Sequence, residues 1–305
     1  MRRSGALGPQ HARHGCDPAC AAWLRSGLHG VVAVPVACAR LQPATPVARI
    51  HPSNERANMN LCEDYLESAE NRQNFYGLLA CIYRKEADAL LLEGMKGLAF
   101  AGEDAESLFG RGACELDAYL GGLQPNARTD LAVDYARVFL GAGIATSEAA
   151  YPYESVYTSE DHLVMQEAHD AMGALLRSSG LACKGSPNEP ADHIALELDY
   201  MAHLVGQGLC AAEAGNGEAV SSSVASQLAF LREHLLNWVP SFAHDVERYA
   251  ETGFYRGIGK MTLGFLEMDE GELRRLSDGG ESGEDAAPAG EVAVGAALWA
   301  EGAAS

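Results

Sequence analysis

Cationic residues are scarce in this sequence: 22 lysines and arginines face 42 aspartates and glutamates, for a net charge of −20. So acidic a chain is a poor partner for nucleic acid or an anionic bilayer and a better one for a cationic ligand. No apolar run approaches the roughly 18–20 residues that cross a bilayer, so stable membrane insertion is not expected. The eight cysteines (16, 20, 38, 62, 81, 114, 183 and 210) contain no C-x-x-C pair. Several fall on apolar helix faces, the usage of free thiols in a reducing compartment, which predicts a cytoplasmic protein. No useful length alternates with period two, so strands are not expected, and neither is a Gly-rich phosphate loop following one. A G-x-S-x-G nucleophile turn is also missing. Aromatics are few (7%) within a hydrophobic content of 48%, as in soluble Ala- and Leu-rich helical proteins.

What is present is unevenly spread. Residues 1–58 hold seven arginines against Asp17 and Glu55, a net of +5, which leaves −25 for residues 59–305. This leader mixes Arg, Pro, Gly, Ala and His without a period and reads as disordered, or as a wrongly assigned start with Met59 as the true one. Its Arg2-Arg3 pair lacks the flanking residues of a twin-arginine export signal. The spacing of His11, His14, Cys16 and Cys20 matches no standard zinc finger. From Met59 helical periodicity takes over. Helices are predicted over 61–84, 86–98 and 104–120, and over a segment capped by Thr129 and ended by Gly141. Another is predicted to start at Ser159 and run to Gly180. Further helices are expected over 190–205, 224–238, from Pro240 to near Gly253, and over 254–268. Residues 269–305 are acidic and Gly/Ala-rich, the composition of an unfolded tail. The fold expected is all-α, a single domain of about nine or ten helices spanning residues 59–268 between two loose ends.

The stretch around which the rest is arranged is Ser186–Val205. Pro190 suits a first helical position, where its missing N–H costs nothing. Ile194, Leu198, Met201 and Val205 then recur at helical spacing as an apolar stripe. Glu189, Asp192 and His193 would crowd the helix's N-terminal end, near its unpaired amides. His193 with Glu197, and Asp199 with His203, stand at i,i+4, where one helix face can ligate a metal. The two pairs lie about six residues apart, and at roughly 100° per residue they face opposite sides and cannot share one ion.

Glu189-Pro190-Ala191-Asp192-His193 and the helix that follows resemble the E-P-x-D-H signature of the TorD/DmsD/NarJ family of molybdoenzyme-specific chaperones. Two more stretches are similar to that family's motifs. Asp134–Gly141, with Tyr135, Val138 and Phe139, resembles its aromatic-x-x-Leu-Phe-x-Gly helix end, with Val138 where Leu is usual. Tyr151–Tyr157, with Tyr153, Glu154, Ser155 and Tyr157, resembles its Pro-aromatic-x-Ser-Val-aromatic loop. The resemblance covers roughly residues 60–268 and implies a cytoplasmic, non-enzymatic chaperone without a cofactor. Its partners would be a twin-arginine signal peptide and the apo form of a molybdopterin-dependent oxidoreductase, held until cofactor insertion and before export. Guanidinium forks followed by an apolar segment require carboxylates beside a greasy groove. Glu154, Glu189 and Asp192 are expected to supply the first, and Tyr135, Val138, Phe139, Tyr153 and Tyr157 the second, with Pro190, His193 and Ser155 completing the binding site. A metal-dependent helical hydrolase built around His193, or a chaperone of a non-exported molybdoenzyme of nitrate-reductase type, are the alternatives. Monomer and dimer are both compatible with the sequence.

Overall fold

A 33-residue helix, α1 (Pro52–Arg84), forms one wall of the core. Its buried positions Tyr65, Ala69, Arg72, Tyr76, Leu79 and Tyr83 alternate in steps of three and four, the signature of one helical face. The structure is a computed structural model and describes residues 31–33, 52–96, 98, 105–143, 149–183 and 190–279. In chain order the further helices are α2 (Ala89–Lys96), α3 (Leu108–Gly121), α4 (Ala127–Leu140), α5 (Glu154–Thr158) and α6 (Glu167–Ser178). They are followed by α7 (Ile194–Glu213), α8 (Gly217–Phe230), a π-helical turn (Leu231–Leu235), α9 (Val239–Tyr249) and α10 (Gly253–Ser277). The all-α class expected from the sequence is what the described residues form.

The partner of α1 is α7, whose stripe Ile194, Leu198, Met201 and Val205 is wholly buried. The Tyr65 hydroxyl donates to the Val205 carbonyl at 2.9 Å and locks the two helices in register. α3 and α10 cross so closely that a Cβ on Gly112 would stand 2.6 Å from the Gly257 carbonyl oxygen. Only glycine permits that approach. Ser107 caps α3 by accepting from the Gly110 amide at 2.9 Å. Gly141, at φ +66°, closes α4 in the left-handed conformation, as its position after the periodic run predicts. Asp134 of α4 accepts from the amides of Glu251 and Thr252 at 3.0 and 2.8 Å and so fixes α4 against the α9–α10 turn.

Four expectations need correction. Strands are present: β1 (Val31–Ala33) pairs antiparallel with β2 (Leu181–Cys183), in the register Val31↔Cys183 to Ala33↔Leu181. Three residues are too few to show a period of two. Within the 1–58 leader, residues 31–33 and 52–58 are described, and both stretches are in regular structure. The remainder of the leader, and the tail beyond 279, lie outside the described residues. α1 starts at Pro52, where proline at a first helical position needs no N–H and nothing breaks the helix before Leu61. At the other end α10 continues to Ser277, because Asp269, Leu273 and Leu276 are buried and extend its inner face past Met268. Ser159 ends α5 instead of opening the next helix, which begins at Glu167.

Candidate functional site

The Pro152–Glu154 backbone runs antiparallel beside Asp192–Ile194. The Ile194 amide donates to the Pro152 carbonyl at 2.9 Å and the Glu154 amide to the Asp192 carbonyl at 3.0 Å, around a Tyr153↔His193 bridge. This pairing displaces the start of the signature helix. α7 begins at Ile194, and Pro190 lies ahead of a turn at Ala191–Asp192, not at the first helical position. The physical reason is tertiary: the backbone of residues 192–194 gains more from pairing with 152–154 than proline's local preference offers. Glu189 lies outside the described residues.

His193 is the cap of α7. Its Nδ1 accepts from the Ala195 amide at 3.0 Å, and Tyr153 meets its ring edge-to-face at 5.1 Å. Burial, reinforced by the nearby charge of Arg84, pushes the imidazole pKa down to about 3. At neutral pH it is therefore an uncharged acceptor, with its proton on Nε2. Asp192 is wholly buried and its Oδ2 accepts from the Ser155 amide at 2.9 Å. His169 approaches from the other side: its Nδ1 accepts from the Ala191 amide at 2.8 Å and lies 3.8 Å from Asp192 Oδ1.

Glu154 also points inward. Asn237 donates to its Oε1 at 2.7 Å, and His234 Nδ1 lies 3.0 Å from its Oε2. Beside it, Glu197 accepts from the Trp238 indole N–H at 3.1 Å. Burial, then the charge of Glu154 and a hydrogen bond to it, then the charge of Asp192, hold the Glu197 carboxyl well above the usual glutamate range. The neutral form of the Glu197 carboxyl is therefore favoured. The π turn makes this cluster possible. The Leu236 amide bonds to the Leu231 carbonyl, and the widened turn presents His234, Asn237 and Trp238 to the two glutamates.

The three buried carboxyls back onto a cleft of about 660 Å³ lined by Ala149, Tyr151, Val156, Tyr157, His162, Pro240, Ser241, His244 and Asp245. Tyr157 forms part of its wall; its ring lies 5.4 Å from Trp238 and its hydroxyl donates to Asp245 Oδ2 at 3.2 Å. Burial first, then the charge of Asp245 and the hydrogen bond to it, raise the Tyr157 pKa above the usual phenol range. The hydroxyl stays a donor.

Of the predicted residues, the structure gathers Tyr153, Glu154, Ser155, Asp192 and His193 on the inner side of the loop, with Pro190 partly exposed at its edge. Tyr157 alone among them lines the cleft. Tyr135, Val138 and Phe139 are core residues. The Tyr135 hydroxyl donates to the Tyr83 carbonyl, and Phe139 packs among Tyr83, Tyr135, Phe242 and Tyr255. Their link to the cleft is indirect, through Phe242, which also touches Tyr157, and through the Val138 carbonyl, which accepts from the Ala150 amide. The predicted i,i+4 pairs are separated by function as well as by direction. Arg84 holds Asp199 at 2.5 Å, and among the described residues no three His, Cys, Asp or Glu side chains gather as a metal site. Sequence reasoning missed His244 and Asp245, whose only signal was their place on the polar face of an amphipathic helix.

Residues 103–244, which contain the cleft lining except Asp245, match the protein family described as nitrate reductase delta subunit. The chaperone protein TorD of Photobacterium profundum is 34% identical over 144 residues, 47% of this chain and 64% of that protein. TorD of Vibrio cholerae El Tor is 32% identical over 151 residues, covering 50% of this chain and 66% of its own length. TorD of Vibrio vulnificus strain YJ016 is 32% identical over 148 residues, with shares of 48% and 66%. Over this stretch the chain is similar to the TorD/NarJ family. It spans just under two thirds of the length of these TorD relatives. The matched range places the family likeness on the loop, the signature stretch and the π turn together. No described helix is long and apolar enough to cross a membrane.

Proposed function

We propose that this protein is a cytoplasmic chaperone for a molybdopterin-dependent oxidoreductase. It binds the client's twin-arginine signal peptide, its apo body or both, and holds the client until the cofactor is inserted and export can proceed. The work is reversible, stoichiometric binding, with no turnover. The observation that carries this reading is the cleft between the 149–162 loop and α9. Its walls carry Ala149, Tyr151, Val156, Tyr157 and Pro240 beside His162, Ser241 and His244, its carboxylate is Asp245, and one wall is the Tyr151–Tyr157 loop that resembles a family motif. An aliphatic segment gains roughly 25 cal/mol for each Å² it buries there, and a guanidinium beside it finds a carboxylate acceptor.

In this reading Glu154, Asp192 and His193 act from behind the wall. They hold the loop that lines the cleft, and they do so with bonds already made inside the protein. Asp245 takes the cationic contact that the sequence alone would assign to them. Titration calorimetry with a twin-arginine peptide tests the reading. Binding at about one peptide per chain is expected, weakened at least tenfold when the Arg-Arg pair becomes Lys-Lys or the sequence is scrambled. Equal affinity for all three peptides would refute signal recognition.

A client that stays in the cytoplasm is favoured by one observation, the family's description as a nitrate reductase subunit. Identification of the bound protein by co-purification distinguishes the two.

A further inference from the structure

Resting on that reading, we infer that the loop after the cleft, Ser159–Gln166, is a second client-binding element that takes the apolar segment following the peptide's cationic pair. Leu163, Val164 and Met165 are 56%, 43% and 47% exposed, and among the described residues they are the only consecutive large hydrophobics left in solvent. The others, such as Met59, Leu90 and Val133, are scattered singly, as on any protein surface. The three follow directly on His162, which lines the cleft, so the apolar wall and the exposed run are continuous along the chain.

The backbone of this loop is strained. His162 and Met165, at φ 51° and 59°, are the two described non-glycine residues in the left-handed region. A methionine held there, with its side chain in water, is costly and persists only where its surroundings impose it. Those surroundings are specific. The Gln166 amide donates to Ser155 Oγ at 3.1 Å, the Gln166 side chain to the Val164 carbonyl at 3.1 Å, and His162 Nδ1 bonds the Val156 carbonyl at 2.8 Å. Ser155 is itself held through its amide by the buried Asp192. The signature aspartate therefore sets the loop's shape through two hydrogen bonds in series, and Ser155 is the positioning residue between them.

Charge selects the occupant. No lysine or arginine occurs between Arg137 and Arg177, while Glu148, Glu154, Glu160, Asp161, Glu167 and Asp170 fall in that interval. An exposed apolar run with acids and no lysine or arginine near it in sequence repels an anionic partner and suits an apolar peptide segment that carries cations.

The test uses the full chain and two synthetic peptides that share an Arg-Arg pair. One continues into a Leu/Ala-rich segment, and in the other that segment is Ser/Gly. The triple variant Leu163→Ser, Val164→Ser, Met165→Ser is expected to bind the first peptide at least tenfold more weakly than the unaltered chain does, and the second equally well. Ser155→Ala, which keeps all three apolar side chains but frees the Gln166 anchor, is expected to lose part of the same selectivity. Thermal unfolding checks that both variants fold. If the unaltered chain discriminates between Arg-Arg and Lys-Lys peptides while the triple variant binds the Leu/Ala peptide as tightly, the loop assignment is overturned and the wider reading stands. An equal loss for both peptides also overturns it. If the unaltered chain binds neither peptide, both fall together.

Discussion

The core contains two buried clusters of charge, and they are built on opposite principles. In the first, joining α1, α8 and α10, Arg72 bonds Asp269 through two nitrogens and Gln227 at 2.7 Å, while Tyr76 donates to Asp269 at 2.6 Å. Burial alone would lower the Arg72 pKa, but the charge and hydrogen bond of Asp269 outweigh it and the guanidinium stays ionised. One cation meets one anion, and the neighbours fill most of the remaining bonds. In the second cluster Glu154, Asp192 and Glu197 are all buried, and among the described residues no lysine or arginine is paired with any of them. Burial first, and then the charges of Glu154 and Asp192, favour the neutral form of Glu197. The balanced cluster lies between packed helices and serves the fold. The unbalanced one lies behind the cleft, where its members position the lining. Imbalance of this kind is tolerated where a site needs it.

Mutation sharpens the contrast. The largest effect is expected from Asp269→Ala, which leaves Arg72 charged, buried and unpaired. A loss of about 3–5 kcal/mol in chemical denaturation is predicted, and a loss below about 1 kcal/mol would show that this cluster does not hold the fold. His193→Ala removes the cap of α7 and is expected to cost about 1–2 kcal/mol, whereas His193→Asn keeps an acceptor and loses less. The pH dependence has a definite sign. The native pKa of His193, about 3, lies below the ordinary 6.5, so its neutral form contributes stability that is complete above pH 6.5 and is lost as pH falls toward 3. Over that window denaturation midpoints of His193→Asn should fall less steeply than those of the unaltered chain.

The smallest effect, at pH 4.5 and below, is expected from Glu197→Gln, a neutral replacement for a carboxyl that favours its neutral form, within about 1 kcal/mol of the unaltered chain. Here the sign reverses. The folded pKa lies above the ordinary 4.5, so the unaltered chain loses stability as pH rises from 4.5 toward the folded value. The glutamine variant avoids that loss and should gain relative stability as pH rises above 4.5. Removing the carboxylate from one cluster thus harms the protein, while fixing a carboxyl in its neutral state in the other helps it.

The parts of this architecture governed by local rules were legible in the sequence. The stripe of α7, the glycine stop of α4 and the all-helical class follow from spacing and turn chemistry. The parts set by tertiary contacts were not. Pro190 looked like a helix start, yet the bridge between residues 152–154 and 192–194 decides where α7 begins. Tyr135 and Phe139 belong beneath the site, because the side of α4 that carries them faces Tyr83 and Tyr255. Tyr157 lines the cleft, but Asp245 joins it only through the packing of α5 against α9. Glu197 was visible merely as the fourth residue after His193. Its role depends on the turn at Leu231–Leu235, for which the sequence carries no recognisable signal.

That turn has a consequence for how the chain tolerates length changes. An α-helix advances about 100° per residue, and a π turn accommodates one residue more than an α turn does. Deleting a single residue between 231 and 235 would let the segment relax into regular helix while swinging Asn237 and Trp238 away from Glu154 and Glu197. The helix would be better formed and the wall of the cleft would lose its backing. One surplus residue therefore sets the rotational phase between the scaffold and the binding face.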